Sequence, residues 1–599
     1  MRLANLVRLS VAVAAATAAA VTVPAVGAAP HSAASWKPRP ATYADVTDAN
    51  IQIPMDDGVT LVGDVVYPAD KSTGNRAVGK FPVLLTQNPY LCSTPNGNVG
   101  PEAALSAGAL GGSAYYADRG YIFASVCVRG AGRSGGNFGF MDRRAQRDGV
   151  ALVDWAAHQL PGSNGVVGLI GCSYLGLTQI FTAGALGPNS PVKAMAPSCA
   201  GNDMFRESAD SGGVSTESLE YMFPSVGAII DPRAGVYGAQ VVADGLAGGD
   251  PAYDGTFWKS RTPGDYAARI VANHIPVLLW SGWDDIFTRT SEEMYAELQN
   301  AAAHRPVNGP MPVGAPASPR YQIVLGPWGH GAGIDPSLQL EWFDTWLRGA
   351  DTPMRHTKTP MHLYQLGTNT WINTPDFPMV ARYTRYYLSA SGALTAAAPK
   401  AKATDSLAFA PLQLSSLTYT TPAFKRGATL AGPISASILA ATSGTNMDVI
   451  ASLFDVAPGG SATQITQGNL AGSFAAEDPS RVWHDKSGVD IRPYPYFDAD
   501  RYLTPGKPVR LNITISPRVY AVAPGHALRV VLTSMQDETQ CGAVLGVRPC
   551  FPSPSQLRTF PGTYQILRGT GQQSTINLPL LPAGFFKPTG SRGAEPASL

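Results

Sequence analysis

The sequence predicts an α/β protein in three parts: a doubly wound sheet, a segment inserted into that sheet, and a β-sandwich after it. Three observations predict this. Short apolar runs without polar alternation recur through the first half of the chain with helical patterns between them, which is how parallel strands buried on both faces read. The stretch 202–273 breaks that rhythm with Gly-rich, Tyr-rich and acidic sequence. Beyond about residue 372 the chain turns to short β-type segments punctuated by Pro and Gly, with hardly any helix. A chain of 599 residues also exceeds what one hydrophobic core can serve, so several domains are expected.

Taken in order, residues 1–29 read as a signal peptide. Arg2 and Arg8 give a basic start, 9–26 is nearly all Ala and Val, and Gly27-Ala28-Ala29 offers small residues to a peptidase. Export is therefore expected, with cleavage near residue 29 and a mature chain outside the cell. Pro24 interrupts the apolar stretch and no later segment reaches ~18 uninterrupted apolar residues, so no membrane association is expected after processing. The alternation at 50–68, with Asp56-Asp57-Gly58 in the middle, predicts a β-hairpin. Continuous apolar runs at 81–86, 121–128, 166–171, 192–196, 277–280 and 321–325 predict parallel strands. Helical patterns at 144–159, 175–185, 289–302 and 338–347 complete a doubly wound domain over 45–372. The insertion 202–273 reads as a helical cap over the carboxyl edge of the sheet. Strand-like segments at 386–388, 430–439, 447–456, 509–515, 527–533 and 575–578 predict a jelly-roll β-sandwich over 380–590.

Charge argues about partners. Lys and Arg number 44 against 43 Asp and Glu, and charged residues make up only 15%. No electrostatic footprint for nucleic acid is present, and the expected partner is a small, weakly charged molecule. Of the six cysteines, Cys541 and Cys550 enclose a short loop and are expected to pair in an exported chain. Cys127 and Cys172 end apolar strands and are expected as reduced, buried thiols. Cys92 and Cys199 have no assignment.

The chemistry is expected at the carboxyl ends of strands. The segment Val166 to Gly176 runs from an apolar strand through Gly171-Cys172-Ser173-Tyr174-Leu175-Gly176 into a helix. This is the context of a nucleophile elbow, in which a strained turn lifts the serine above the sheet. Leu175 stands where the usual second glycine would be, so the same residues also fit a helix start with Ser173 as N-cap. Serine needs a neutral imidazole to take its proton and a carboxylate to fix the tautomer. Two later strands supply candidates: 277–280 ends in Ser281-Gly282-Trp283-Asp284-Asp285, and 321–325 ends in Gly326-Pro327-Trp328-Gly329-His330. Serine, then acid, then histidine is the chain order of α/β-hydrolases.

Together with Asn88-Pro89-Tyr90 and Val128-Arg129-Gly130-Ala131-Gly132-Arg133-Ser134, these blocks resemble the CocE/NonD hydrolase superfamily, which holds cocaine esterase and the X-Pro dipeptidyl-peptidases. The similarity runs from about Ile51 to Leu580. It implies an α/β-hydrolase fold with a helical cap and a C-terminal jelly roll, and a serine that is followed by Tyr-x-Gly. It further implies a catalytic triad of Ser173, Asp285 and His330, with the Tyr90 hydroxyl and the Tyr174 backbone N–H as oxyanion hole. The family register favours Asp285 over Asp284, whose place an aromatic residue takes in relatives; both stay open. Arg129 and Arg133 are expected as structural residues paired with acids such as Asp148. Trp283, Phe287 and Trp328 are candidates for the substrate pocket. Neither metal nor cofactor is expected. Relatives hydrolyse esters, amides or short peptides. With Phe287 and Thr288 where amino-acid ester hydrolases carry extra carboxylates, an esterase or acylase is favoured, since an unpaired buried ammonium is costly. Glu207, Asp210, Glu217 and Glu220 in the cap could supply that charge and keep an X-Pro dipeptidyl-peptidase as the alternative. The triad argues against a purely carbohydrate- or surface-binding protein.

Overall fold

A computed structural model describes residues 36–90, 112–206, 210–215, 231–410, 413–534 and 558–589. Among them the first domain is built on one ten-stranded sheet. Its strands are β1 (Ala44–Pro54), β2 (Thr60–Ala69), β3 (Phe81–Asn88), β4 (Ile122–Cys127), β5 (Ser163–Cys172), β6 (Val192–Ser198), β7 (Val277–Asp284), β8 (Tyr321–Gly329), β9 (Met361–Gln365) and β10 (Thr370–Thr374). Their spatial order is β1-β2-β4-β3-β5-β6-β7-β8-β9-β10. The antiparallel hairpin β1–β2 opens the sheet and β4 to β9 pair in parallel around β3 and β5. The central strands are buried almost throughout, as their unbroken apolar runs predict. Strands β9 and β10 are not evident in the sequence, because His362, Gln365, Thr370 and Asn373 dilute the apolar signal.

Helices α1 (Gly112–Ala117), α2 (Arg143–His158), α3 (Tyr174–Ala185), α4 (Pro232–Leu246), α5 (Thr288–Ala302) and α6 (Pro336–Leu347) accompany the strands. Helix α2 starts where Asp142 Oδ1 accepts the Ala145 N–H at 2.8 Å. Helix α4 lies in the inserted segment and begins with Pro232 behind the N-cap Asp231. The other Asp231 oxygen accepts the Gly132 N–H at 2.9 Å, which seats the insertion on the loop after β4. Arg261 adds donations to the Gly139 and Phe140 carbonyls at 3.0 and 2.8 Å. The insertion therefore packs on loops at the carboxyl edge.

In the second domain one sheet runs β11 (Thr384–Leu388), β20 (Thr575–Leu578), β14 (Ala428–Thr442), β19 (Gly562–Arg568) and β12 (Ala403–Ala410), with β17 (Val509–Val522) along the other side of β14. A second sheet runs β13 (Ser416–Thr420), β18 (Ala527–Thr533), β15 (Asp448–Val456) and β16 (Ala462–Ala471). The two domains share a buried ion pair: Arg492 Nε donates to Glu293 Oε1 of α5 at 2.9 Å, and Arg492 Nη2 meets the other oxygen. A main-chain bridge between Leu366 and Tyr520 also joins them.

Cys127 corrects one expectation. It is disulfide-bonded rather than reduced, with its partner outside the described residues; a buried strand end suits a bridge as well as a free thiol. Cys172 and Cys199 are free. Cys541 and Cys550 lie outside the described residues, as do 1–29.

Candidate active site

Strand β5 stops at Cys172, and Ser173 turns with φ 61° and ψ −123° before α3 begins. A non-glycine residue in that region carries roughly 1–3 kcal/mol of strain and persists only where its surroundings impose it. They do so here. The Ser173 N–H donates to the Ser198 carbonyl at 2.9 Å, and its own carbonyl accepts from Gly176 and Leu177 at 2.8 and 2.9 Å. The two glycines explain the spacing of the motif. A Cβ on Gly171, at φ +143°, would stand 2.4 Å from Leu175 Cβ, and one on Gly176 would stand 2.4 Å from the Ser198 carbonyl. The turn thus needs small residues two before and three after the serine, while Leu175 fits because Gly171 leaves it room.

Asp285 reaches the site through a second turn. Its N–H donates to the Gly282 carbonyl at 3.1 Å, and its Oδ1 accepts the Phe287 N–H at 2.9 Å. The same oxygen lies 3.0 Å from His330 Nδ1. Asp284 points away: its side chain is 75% exposed and faces Arg518 Nη2 at 3.5 Å. Two adjacent carboxylates are thus separated by the turn, one buried against the imidazole and one in solvent.

His330 follows β8, its side chain 19% exposed, with the Phe287 ring 5.9 Å away. Burial favours the neutral imidazole, but the charge and hydrogen bond of Asp285 outweigh it and raise the pKa to about 9. Two thiols bind this loop to the elbow. The Gly331 N–H donates to Cys199 Sγ at 3.2 Å, and the Cys199 thiol is hydrogen-bonded to Cys172, the residue before Ser173. Cys199 carried no assignment in the sequence; its place just beyond β6, at the same carboxyl edge, was the available signal. Cys199, Asp285 and His330 bring ligand-type atoms within 4.8 Å of one another. Burial, with the Cys172 thiol beside it, keeps the Cys199 thiol well above its usual pKa, and Asp285 is committed to the imidazole. The set suits proton transfer better than metal binding, for which a thiolate is needed.

Tyr90 sits just past β3, the neighbour of β5. Asn88 Oδ1 accepts the Tyr90 N–H at 2.8 Å, so the Asn88 side chain makes the turn that places Tyr90 at the elbow's end of the sheet. Tyr174 is buried between Phe138 and Phe140, ring centroids 6.1 and 6.0 Å away, and its phenol is held well above the usual range by burial, near Tyr90. Its backbone N–H belongs to the first turn of α3, where the helix dipole favours negative charge.

Of the three pocket candidates, Phe287 touches the histidine. Trp283 is 1% exposed and donates its indole N–H to the Tyr364 carbonyl at 2.6 Å. Trp328 donates to the Ser281 carbonyl at 3.0 Å and stacks on Trp280 at 5.8 Å. Both are framework residues, a correction to their expected place beside substrate; an indole at a strand end packs inward when a carbonyl satisfies its N–H. Arg129 pairs with Asp148 at 2.7 Å and Arg133 with Asp64 at 2.7 Å, which makes them structural.

The profile of the X-Pro dipeptidyl-peptidase (S15 family) matches residues 57–232, and that of the X-Pro dipeptidyl-peptidase C-terminal non-catalytic domain matches 355–541. The chain belongs to the CocE/NonD, S15-like superfamily of serine hydrolases. The relatives of this hydrolase include an assumed serine esterase of Mycobacterium bovis, 22% identical over 90% of this chain and 96% of the relative. A cocaine esterase of Rhodococcus is 26% identical over 58% of this chain and 62% of that one. The crystal structure of a CocE/NonD family hydrolase from Staphylococcus aureus shares the fold, with a TM-score of 0.71 at 20% identity over 90% of this chain and 94% of the other.

Proposed function

We propose that this CocE/NonD hydrolase cleaves ester or amide bonds of small acyl substrates through a covalent acyl-enzyme on Ser173. The observation that carries the reading is the strained Ser173 turn at the same sheet edge as a His330–Asp285 pair 3.0 Å apart. In this scheme the neutral His330 Nε2 takes the proton of Ser173 Oγ as that oxygen attacks the carbonyl carbon, and Asp285 stabilises the imidazolium that forms. The Tyr90 hydroxyl and the Tyr174 N–H receive the oxyanion; such donors are worth roughly 3–4 kcal/mol each in a dry site. The imidazolium returns its proton to the leaving group. Water, deprotonated by the same imidazole, then releases the acid.

An esterase or acylase is favoured over recognition of a free α-amine, because several carboxylates around α5 already face arginines. Asp203 is paired with Arg206, Glu293 with Arg492 and Asp284 with Arg518. The side chains of Glu207, Asp210, Glu217 and Glu220 lie outside the described residues. The two X-Pro dipeptidyl-peptidase profiles favour a second reading, release of X-Pro dipeptides. The basic start and Ala-Val run of residues 1–29 support export. Fluorophosphonate labelling followed by peptide mapping tests the nucleophile: adduct on Ser173 is expected, and adduct elsewhere overturns it. A panel of p-nitrophenyl acetate, p-nitrophenyl butyrate, phenylglycine methyl ester and Ala-Pro-p-nitroanilide separates the substrate classes. Turnover of the simple esters with none of the anilide is expected; preference for the anilide establishes the peptidase.

A further inference from the structure

The outer face of the sandwich carries a polar ladder that the hydrolytic reading does not use. Strand register aligns it: Arg385 of β11 opposes Asn577 of β20, which opposes Ser435 of β14, and Tyr387 likewise opposes Thr575, which opposes Ser437 and then Asn512 of β17. Hydrogen bonds run across the strands. Arg385 Nε donates to Asn577 Oδ1 at 3.3 Å, Asn577 Nδ2 to Ser435 Oγ at 3.0 Å, and Ser437 Oγ to Asn512 Oδ1 at 2.7 Å. Arg510, one step further along β17, donates to Ser437 Oγ and to the Gln573 carbonyl, both at 3.0 Å. These residues line a cavity of about 400 Å³. Its floor is buried although polar: Ser435 is 1%, Asn577 3% and Thr575 6% exposed.

Charge gives the cavity its character. Many arginines of the molecule are matched by acids, as Arg129 is by Asp148, Arg206 by Asp203 and Arg568 by Asp405, while others, such as Arg261, donate to carbonyls. Arg385 and Arg510 have only neutral hydrogen-bond acceptors among the described residues. Asp490, also at the wall, is paired with His484 Nδ1 at 2.8 Å. Glu477, behind Asn512, accepts its amide N–H at 2.6 Å and is pushed towards the neutral form by burial. Two guanidinium groups thus face a cavity walled mainly by hydroxyls and amides, with the Asp490 carboxylate and the apolar Ala436 and Pro493 completing the lining. Arg385 is held at Asn577 and Arg510 at Ser437 and the Gln573 carbonyl, two to four residues further along the strands, so roughly 8–13 Å separates them by sheet geometry. A single oxyanion is too small to bridge that gap, whereas carboxylates on separate units of one sugar chain can span it, and the hydroxyls and amides between suit sugar hydroxyls.

We propose that this face is a binding site for an acidic saccharide, with Arg385 and Arg510 each taking a carboxylate. The site stands apart from Ser173 and does not depend on the substrate of the hydrolase.

Isothermal titration of the full chain with digalacturonate tests it, with cellobiose and sodium sulfate as comparison probes. Saturable digalacturonate binding is expected, at least tenfold tighter than either, and weakened by salt. The double variant Arg385→Gln/Arg510→Gln is expected to bind digalacturonate at least tenfold more weakly while keeping its thermal midpoint and its turnover of p-nitrophenyl acetate, since both side chains are at the surface. No digalacturonate binding, equal binding of cellobiose or of sulfate, or undiminished binding by a folded double variant would each overturn the proposal.

Discussion

The α/β sheet and the sandwich both rest on buried strands, yet they place polar residues in opposite ways. In the α/β sheet the central strands are apolar along their length, and chemistry begins where each strand ends: Ser173 after β5, Cys199 after β6, Asp285 after β7 and His330 after β8. In the sandwich, polar side chains alternate with core residues inside the strands, so part of one face is polar, as Ser435 and Ser437 flank the buried Ala436. A parallel sheet covered on both sides leaves only its edge for a site, and that edge gathers a few residues from distant loops. An antiparallel sheet with one free face offers a surface set by register. The first arrangement concentrates function in single residues and the second spreads it over many.

That contrast can be broken most directly at the elbow. Ser173→Ala is expected to lower kcat by ~10⁴ or more with unchanged circular dichroism, as only oxyanion stabilisation and binding remain; retention of more than about a tenth of the activity would remove Ser173 from the reaction. Asp285→Asn is expected to cost a comparable ~10⁴, because the amide favours the wrong imidazole tautomer. The next largest effect is on stability and lies between the two domains. Glu293→Gln leaves Arg492 charged and buried without its carboxylate, at about 3–5 kcal/mol. Denaturant unfolding should show this, and a change below 1 kcal/mol would mean that the pair is solvated.

The pH profile sharpens the comparison further. His330 must be neutral to accept the serine proton, and its pKa is raised to about 9, so kcat/KM should climb from neutral pH towards about 9 and be lost as the ring protonates below that. In Asp285→Asn the residual activity should have this acid limb moved down by a unit or more. A limb at the ordinary value near ~6.5 in both proteins would show that the carboxylate does not act on the ring. Asp284→Asn is the smallest change expected, within a few-fold in kcat/KM, as that side chain faces solvent and Arg518. If the two asparagine variants ranked in reverse, Asp284 would be the partner of His330.

Much of the architecture is local and was legible without coordinates. Apolar runs such as 81–86 and 166–171 become strands because burial on both faces demands continuous apolarity. Gly171 before Ser173 announces the elbow because Leu175, four residues on, leaves no room for a side chain there, whereas Gly176 answers to the distant Ser198 carbonyl. The order of serine, acid and histidine follows from where three such strands end. What only the tertiary structure decided depends on contacts far apart in sequence. Asp285 rather than Asp284 meets His330 because the turn closed by the Asp285 N–H on Gly282 rotates one carboxylate inward. Cys127 is bridged, and Trp283 and Trp328 face inward, because distant groups satisfy them. Arg385, Asn577, Ser435 and Arg510 share one face through a register that spans nearly two hundred residues, and no local window of sequence contains it: a strand's pattern fixes which side chains face the core, while its neighbours fix what lies beside the others.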